Sequence, residues 1–224
     1  MKGILGRIIL GRIMAFFLCV CGLPLHVAIC LIIRLQDGGP ALFRSERLGI
    51  GGRRYTMSKY RTMRVGCQPL LKYGFKVVVE EADSRITPLG RWLRCGIDEL
   101  PQLWNIVRGE MAWIGPRPDE AWMLANYGTI SYERLSIHPG ITGLAQVLNS
   151  RYRSTATGYA IDVWYKRHGN VLMDAWIICV TPLFMAGCCA IGARRIQKLT
   201  RDTRFLALEL ACQEEISRAE SCTP

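Results

Sequence analysis

Apolar and charged positions fall into blocks along this chain. From residue 13 to residue 33, "IMAFFLCVCGLPLHVAICLII", there is no formal charge and a single imidazole, His26. A stretch of about 20 apolar residues is long enough to cross a bilayer. Lys2, Arg7 and Arg12 precede it, and Arg34, Arg44, Arg47, Arg53 and Arg54 follow it. Basic flanks favour the cytoplasmic side, so a straight span would leave one flank misplaced. Gly22 and Pro24 stand mid-run, where proline removes a backbone hydrogen bond and bends a helix. The pattern predicts a re-entrant helical hairpin over residues 1–36, broken at Pro24 and dipping into one leaflet. A spanning helix with a proline kink is the alternative. A cleaved signal fits less well, because the run is long and no small-residue cleavage site precedes the basic stretch.

Downstream, Gly38, Gly39 and Pro40 end this element. "RRYTMSKYRTM" (53–63) alternates so that Tyr55, Met57, Lys59, Arg61 and Met63 share one face of a strand, with Lys59 and Arg61 pointing the same way. Residues 86–108 read as a helical layer. Pro88 suits the first turn of "PLGRWLR", Gly96 interrupts, and "DELPQLWNIVRG" resumes with Leu100, Leu103, Trp104 and Val107 along one stripe. Asp98 and Glu99 would open this second helix with Pro101 in its first turn, where the helix dipole favours carboxylates and would equally receive a phosphate. "GPRP" (115–118) and "HPGITG" (138–143) read as rigid loops. A second apolar run, "AWIICVTPLFMAGCCAIG" (175–192), contains Pro182 and lies between Lys166 and Arg167 on one side and Arg194, Arg195 and Lys198 on the other. It is short for a span and is expected to re-enter or to lie in the interface. The 201–224 tail mixes Leu206, Leu208 and Leu210 with Glu209, Glu214, Glu215 and Glu220, and is expected as a loose amphipathic helix without chemistry. The organisation is thus a membrane element (1–36), a small cytosolic domain of α/β class, mainly helical (37–174), a membrane-associated or interfacial helix (175–200) and a tail (201–224).

Charge sharpens this picture. Lys and Arg total 29 against 18 Asp and Glu, a net +11, in a chain of 224 residues that is half hydrophobic. Basic balance alone fits nucleic acid, an anionic membrane surface or phosphate-bearing substrates. Between residues 34 and 72 the excess is dense and adjoins the apolar run. It reads there as headgroup contact plus phosphate binding, with a solvated basic face as the bland alternative. The ten cysteines are irregularly placed and form no CxxC pair, so they read as reduced apolar fillers rather than a disulfide or zinc framework. His138 and His168 read as structural or surface residues. Trp92, Trp104, Trp113 and Trp122 read as core or interfacial anchors.

Two features remain that stability does not require: adjacent carboxylates, Asp98 and Glu99, and Arg117 locked between two prolines. "DELPQLWNIVRGEMAWIGPRP", "HPGITGLAQV" and "DVWYKRHGNVLMD" (162–174), preceded by "GGPALFRSERLGIGGRRYTMSKYRTM" (38–63) and "DSRITPLGRWLR" (83–94), resemble the bacterial sugar transferase family, the small monotopic phosphoglycosyl transferases. The resemblance covers roughly residues 8–182. It implies a re-entrant helix joined to a small catalytic domain on the cytoplasmic face of the bacterial plasma membrane. It also implies transfer of a phospho-sugar from a UDP-sugar to polyprenol (undecaprenyl) phosphate, with Mg²⁺ required and UMP released, as the first membrane step of a polysaccharide or glycoconjugate pathway. Nucleic acid is not among the implied partners, and a homodimer is left open.

Carried over by residue, the resemblance makes Asp98 the nucleophile and Glu99 its neighbour; since Mg²⁺ takes oxygen ligands, Glu99, together with Asp98, is the candidate metal ligand. Arg117 matches the Arg of the Pro-Arg-Pro motif. Lys59 and Arg61 match a basic pair, with Tyr60 in place of Phe, and Gln146 and Asp162 match positions in the last two blocks. Arg94 is carried as a phosphate ligand, although the segment from Gly90 to Asp98 is one residue shorter than the family pattern. Two further departures are Leu23-Pro24 for Ser-Pro and Met111-Ala112 for Met-Ser. Covalent catalysis suits the dyad because it divides one difficult transfer into two easier ones. A pre-ordered arginine fork suits a phosphate. Two other readings stay open: a membrane-anchored basic module binding lipid or nucleic acid without catalysis, and a magnesium-dependent phosphohydrolase.

Overall fold

Two helices meet at the glycine that stands mid-run. The computed structural model describes residues 2–67, 71–72, 75–76, 83–148, 155–185, 199 and 201–221, and the chain is mostly helical with small sheets. Helix α1 (Lys2–Cys21) and helix α2 (Leu23–Asp37) are bent by 60° at Gly22. A Cβ at Gly22 would lie 2.8 Å from the Leu18 carbonyl oxygen, so the bend is made where no side chain obstructs it. The break expected at Pro24 thus stands two residues earlier, at Gly22: Pro24 falls in the first turn of α2, where its missing N–H costs least and the helix continues through it. Among the described residues no single helix is long and apolar enough to cross a membrane; the bent pair passes by length and composition as a broken span or a re-entrant loop. Gly38, in the left-handed region at φ 71°, ends α2 and returns its N–H to the Arg34 carbonyl.

One side of each arm is fastened to the rest of the chain. Ala15 of α1 packs with Tyr55, Met57, Leu103, Ile106 and Met111. Arg12 Nε donates to Val107 O at 3.1 Å, and Trp113 Nε1 donates to Gly11 O at 2.9 Å. From α2, Ile29 and Ile33 pack with Ala41, Tyr60 and Leu93, and His26 Nδ1 lies 2.8 Å from Tyr60 Oη. The other sides of both arms are apolar and exposed, as at Leu10, Phe17, Leu25 and Leu35.

Strands β1 (Leu42–Leu48) and β2 (Arg54–Tyr60) form an antiparallel pair, with Phe43 opposite Lys59. A two-residue ladder joins β3 (Leu71–Lys72) to β4 (Phe75–Lys76). Helices α3 (Pro88–Leu93) and α4 (Gln102–Arg108) follow, as the proline and glycine signals predict. The stripe expected on α4 is only half right: Leu103 is buried and Val107 partly so, but Leu100 and Trp104 face outward. The buried face of α4 is Gln102, Leu103, Asn105 and Ile106, because it seats on α1 and β2. Trp92 and Trp122 are exposed as well, so neither is a core residue.

Strand β5 (Ala112–Ile114) runs parallel to β6 (Gly140–Thr142), with helix α5 (Thr129–Glu133) between them in sequence. The largest core lies beyond, among α6 (Leu144–Val147), α7 (Thr155–His168), α8 (Val171–Met185) and α9 (Thr203–Ser221). Ile177 and Val180 of α8 enter this core while Ile178 and Leu183 face out. The second half of the apolar run, from residue 186, and its flank Arg194, Arg195 and Lys198 lie outside the described residues. The tail is helical as its pattern predicts, but it is not loose. Phe205, Leu208 and Cys212 are buried against α7, and Glu215 accepts from Ile130 N, Ser131 N and Ser131 Oγ at the start of α5. The cysteines described are all free; Cys21, Cys95 and Cys179 are exposed, so the filler reading fails for those three.

Candidate active site

Gly96 takes φ 108°, a left-handed turn that separates α3 from the acidic pair. A short 3₁₀ turn, Ile97–Glu99, carries Asp98 and Glu99, and α4 starts only after Pro101. The pair therefore precedes the helix instead of opening it, and its charges are balanced by side chains. Strand β2 packs on this turn and presents Lys59 there. Arg94, at the end of α3, donates from Nε to Thr62 Oγ1 at 3.2 Å. Arg117 Nη2 reaches Glu99 Oε1 at 3.2 Å. Lys59, Arg94 and Arg117 all act electrostatically on Asp98, so three cations surround a buried carboxylate.

That environment shifts both ends of the pair. Burial raises the Asp98 pKa, the Glu99 charge raises it further, and Lys59, Arg94 and Arg117 pull it back. Burial lowers the Lys59 pKa, with Asp98 the largest opposing influence. A partly desolvated acid beside a partly desolvated cation in a basic setting is an arrangement for anion chemistry. Among the described residues no three His, Cys, Asp or Glu side chains converge as a metal site; the carboxylates carried by this turn are Asp98 and Glu99.

The loop behind Arg117 is built by close backbone approach. Gly115 N donates to Thr142 O at 2.9 Å and Gly140 N to Pro116 O at 2.9 Å. A Cβ on Gly115 would meet His138 O at 2.2 Å, and one on Gly143 would meet Gly115 O at 2.1 Å. The two glycine-proline loops thus need their glycines in order to lie against each other.

Not every expected residue joins the cluster. The structure brings together Asp98, Glu99, Lys59, Arg94 and Arg117. Arg61 is elsewhere: the chain leaves β2 at Tyr60, and the buried Arg61 turns to Asp37 and the Ile33 carbonyl at the end of α2, whose carbonyls and carboxylate attract a cation. Lys59 and Arg61 therefore do not point the same way into one site. Gln146 folds back on its own loop, donating from Nε2 to Ile141 O at 2.9 Å, while its Oε1 is buried without a partner. Asp162 is buried in α7 and accepts from Arg134 Nη2 at 2.8 Å and Nε at 3.1 Å, an ion pair that occupies it.

Three residues near the site escaped the motif reading. Arg47 donates to Pro118 O at 3.4 Å and pairs with Glu120 at 3.2 Å. The Tyr55 hydroxyl is buried without a partner and sits within the field of Arg47, Arg117 and Glu99. Arg134 links Asp162 to the Arg117 loop. A basic run and an alternating strand announce the first two; no local signal announces Arg134.

Comparison with known proteins gives a consistent likeness. The model of the bacterial sugar transferase family matches residues 4–187. The galactosyl transferase CpsE of Streptococcus agalactiae is 35% identical over 178 residues, covering 73% of this chain and 38% of that protein. The UDP-glucose:undecaprenyl-phosphate glucose-1-phosphate transferase of Xanthomonas campestris pv. campestris is 35% identical over 176 residues, covering 73% of this chain and 35% of that protein. The exopolysaccharide production protein ExoY of Rhizobium meliloti is 32% identical over 170 residues, covering 70% of this chain and 75% of that one. The chain thus spans well under half the length of the first two relatives and three quarters of the third.

Proposed function

The chain belongs to the bacterial sugar transferase family, and from that premise we propose that it moves a phospho-sugar from a UDP-sugar onto polyprenol phosphate and releases UMP. The observation that supports this most is the buried Asp98 beside Glu99, ringed by Lys59, Arg94 and Arg117. Attack on a sugar diphosphate brings two anions together, so positioning and charge neutralisation carry most of the catalysis. A carboxylate oxygen of Asp98 attacks the phosphorus bearing the sugar. The bond from that phosphorus to the bridging oxygen breaks, and UMP leaves with that oxygen. An oxygen of polyprenol phosphate then attacks the aspartyl-phosphosugar, forms the polyprenyl-diphosphate-sugar and frees Asp98. Lys59 and Arg117 hold the phosphoryl oxygens and the departing phosphate, and Arg94 keeps the basic wall in place through Thr62.

The donor set fits Mg²⁺, which takes oxygen ligands, keeps several waters and is content with one or two carboxylates plus diphosphate oxygens. Glu99 and Asp98 would hold it; burial first and the Glu99 charge second disfavour an ionised Asp98, and a divalent cation would offset both. When bound it supplies neutralisation of the diphosphate charge.

The exposed apolar sides of α1 and α2 support immersion of the bent pair as a re-entrant hairpin in one leaflet, at the cytoplasmic face of the plasma membrane. The outward Trp92, Trp104 and Leu100 suit its interface. The acceptor phosphate then lies at headgroup depth, beside the dyad. A screen of UMP release over a panel of UDP-sugars with polyprenol phosphate, with and without Mg²⁺, tests this reading. Labelled sugar in a lipid-extractable product supports it; free sugar phosphate points to a phosphohydrolase, and no turnover with any donor to a binding module.

A further inference from the structure

Four consecutive carbonyls of the loop that carries Arg117 are each held. Pro116 O accepts from Gly140 N at 2.9 Å, Arg117 O from Arg134 Nη2 at 2.9 Å, Pro118 O from Arg47 Nη1 at 3.4 Å and Asp119 O from Leu48 N at 2.9 Å. Pro116 and Pro118 have no N–H, so the carbonyl of Arg117 is the main handle on its peptide. The group on that handle is a buried guanidinium. Arg134 is 3% exposed and spends its remaining donors on Asp162 through Nε and Nη2, and on Asp119 and Tyr127 Oη through Nη1. Tyr159 closes the nest, its ring 4.4 Å from Cζ and its hydroxyl donating to Asp119 at 2.8 Å. Burial alone would lower the Arg134 pKa, but Asp119, Tyr127, Asp162 and Tyr159 together hold it above its ordinary value. A buried ion pair is weak evidence for stability; five hydrogen bonds from Arg134 define the geometry of this one.

We propose that Arg134 is a positioning residue for Arg117: anchored by Asp162 and Asp119, it fixes the Arg117 peptide so that the exposed guanidinium faces Glu99 and the donor diphosphate before substrate arrives. Asp162 acts one step further back, through Arg134, without meeting substrate. This rests on the transferase reading of Arg117. Displacements of about an ångström at a reacting centre can cost on the order of 100-fold in rate.

The test is Arg134→Lys, which keeps the charge and loses the fork, made alone and in an Arg117→Ala background. UMP release should fall roughly 10- to 100-fold in kcat/KM in the first case and change less than about twofold in the second, because the group being positioned is gone. Losses that multiply in the double variant overturn the proposal, since a merely weakened fold acts on both backgrounds alike. Amide hydrogen exchange provides a readout independent of turnover. A peptide covering residues 113–121 should exchange faster in Arg134→Lys while β2 keeps its wild-type rate; an unchanged loop, or equal acceleration in both, overturns the proposal. Should Arg134→Lys not fold, Asp162→Asn takes its place in both measurements with the same expected pattern. If the wild-type chain releases no UMP from any donor, the transferase reading fails, and the exchange comparison still decides whether Arg134 holds the loop.

Discussion

Replacing Arg117 with Ala separates the catalytic account from a structural one, because the two predict effects of different size on different quantities. Arg117 meets Glu99 at 3.2 Å, with its side chain 61% exposed and that of Glu99 20% exposed. At an effective dielectric of about 20 the bare attraction at this distance is roughly 5 kcal/mol, but an exposed pair is screened to about 0.2–1 kcal/mol net. Loss of that much shifts the melting temperature of a chain this size by at most about 4 °C. Against a diphosphate the same guanidinium makes charge-assisted hydrogen bonds worth about 1.5–3 kcal/mol, and each 1.36 kcal/mol is tenfold in rate. The expected result is a 10- to 150-fold fall in kcat/KM for UMP release with an almost unchanged melting curve. Arg117→Lys should recover part of the loss by restoring charge without the fork. A kcat/KM within twofold of wild type, or a large drop in melting temperature that accounts for the lost activity, would refute the assignment of Arg117 to the phosphate.

Three further outcomes follow from the electrostatics and the packing. The nucleophile must be ionised, and burial together with Glu99 raises the Asp98 pKa, so the acid limb of the kcat/KM profile should lie above the ordinary carboxylate value of 3.8. Glu99→Gln removes the like charge and should move that limb down, whatever it does to the maximal rate. Lys59 must stay protonated and burial lowers its pKa, so the alkaline limb should fall below 10.5, and Lys59→Arg should push it upward. Limbs that ignore both substitutions would dismiss the pairing of these residues. Glu215→Ala strips the acceptor from two backbone N–H groups and a hydroxyl at the start of α5, which should cost about 1–3 kcal/mol. A thermal scan should show the loss, and an unchanged midpoint would mean that the C-terminal helix is not docked in solution.

Parts of this architecture are written locally in the chain. Gly22 and Pro24 announce the break between α1 and α2 because both act on their own backbone, and the alternation of Tyr55 and Met57 announces β2. Gly96 is likewise a local signal, and the acidic pair with the proline-bracketed Arg117 is legible as a motif. What pattern could not supply is partnership at a distance. Arg61 continues the strand alternation on paper, yet its partner Asp37 lies in α2, so the side chain turns away from Lys59. Asp162 is readable as a motif position, but Arg134, which explains it, stands in "SYERLS" without any feature that marks it. Leu100 and Trp104 obey the helical period of a buried stripe and are nevertheless exposed, since periodicity gives a helix an apolar face without saying whether another element covers it. The tail shows the same limit: of the leucines that mark its pattern Leu208 is buried but Leu206 and Leu210 are exposed, and only the tertiary structure shows that α7 receives the face of Phe205, Leu208 and Cys212.

The central claim is that Asp98 takes the phospho-sugar into a covalent ester. Mass spectrometry of the protein incubated with its UDP-sugar donor, in the absence of polyprenol phosphate, tests this directly. A phospho-sugar adduct on the peptide containing Asp98, absent from Asp98→Asn, is the predicted result. No adduct with donor alone, together with normal turnover by Asp98→Asn, would contradict it.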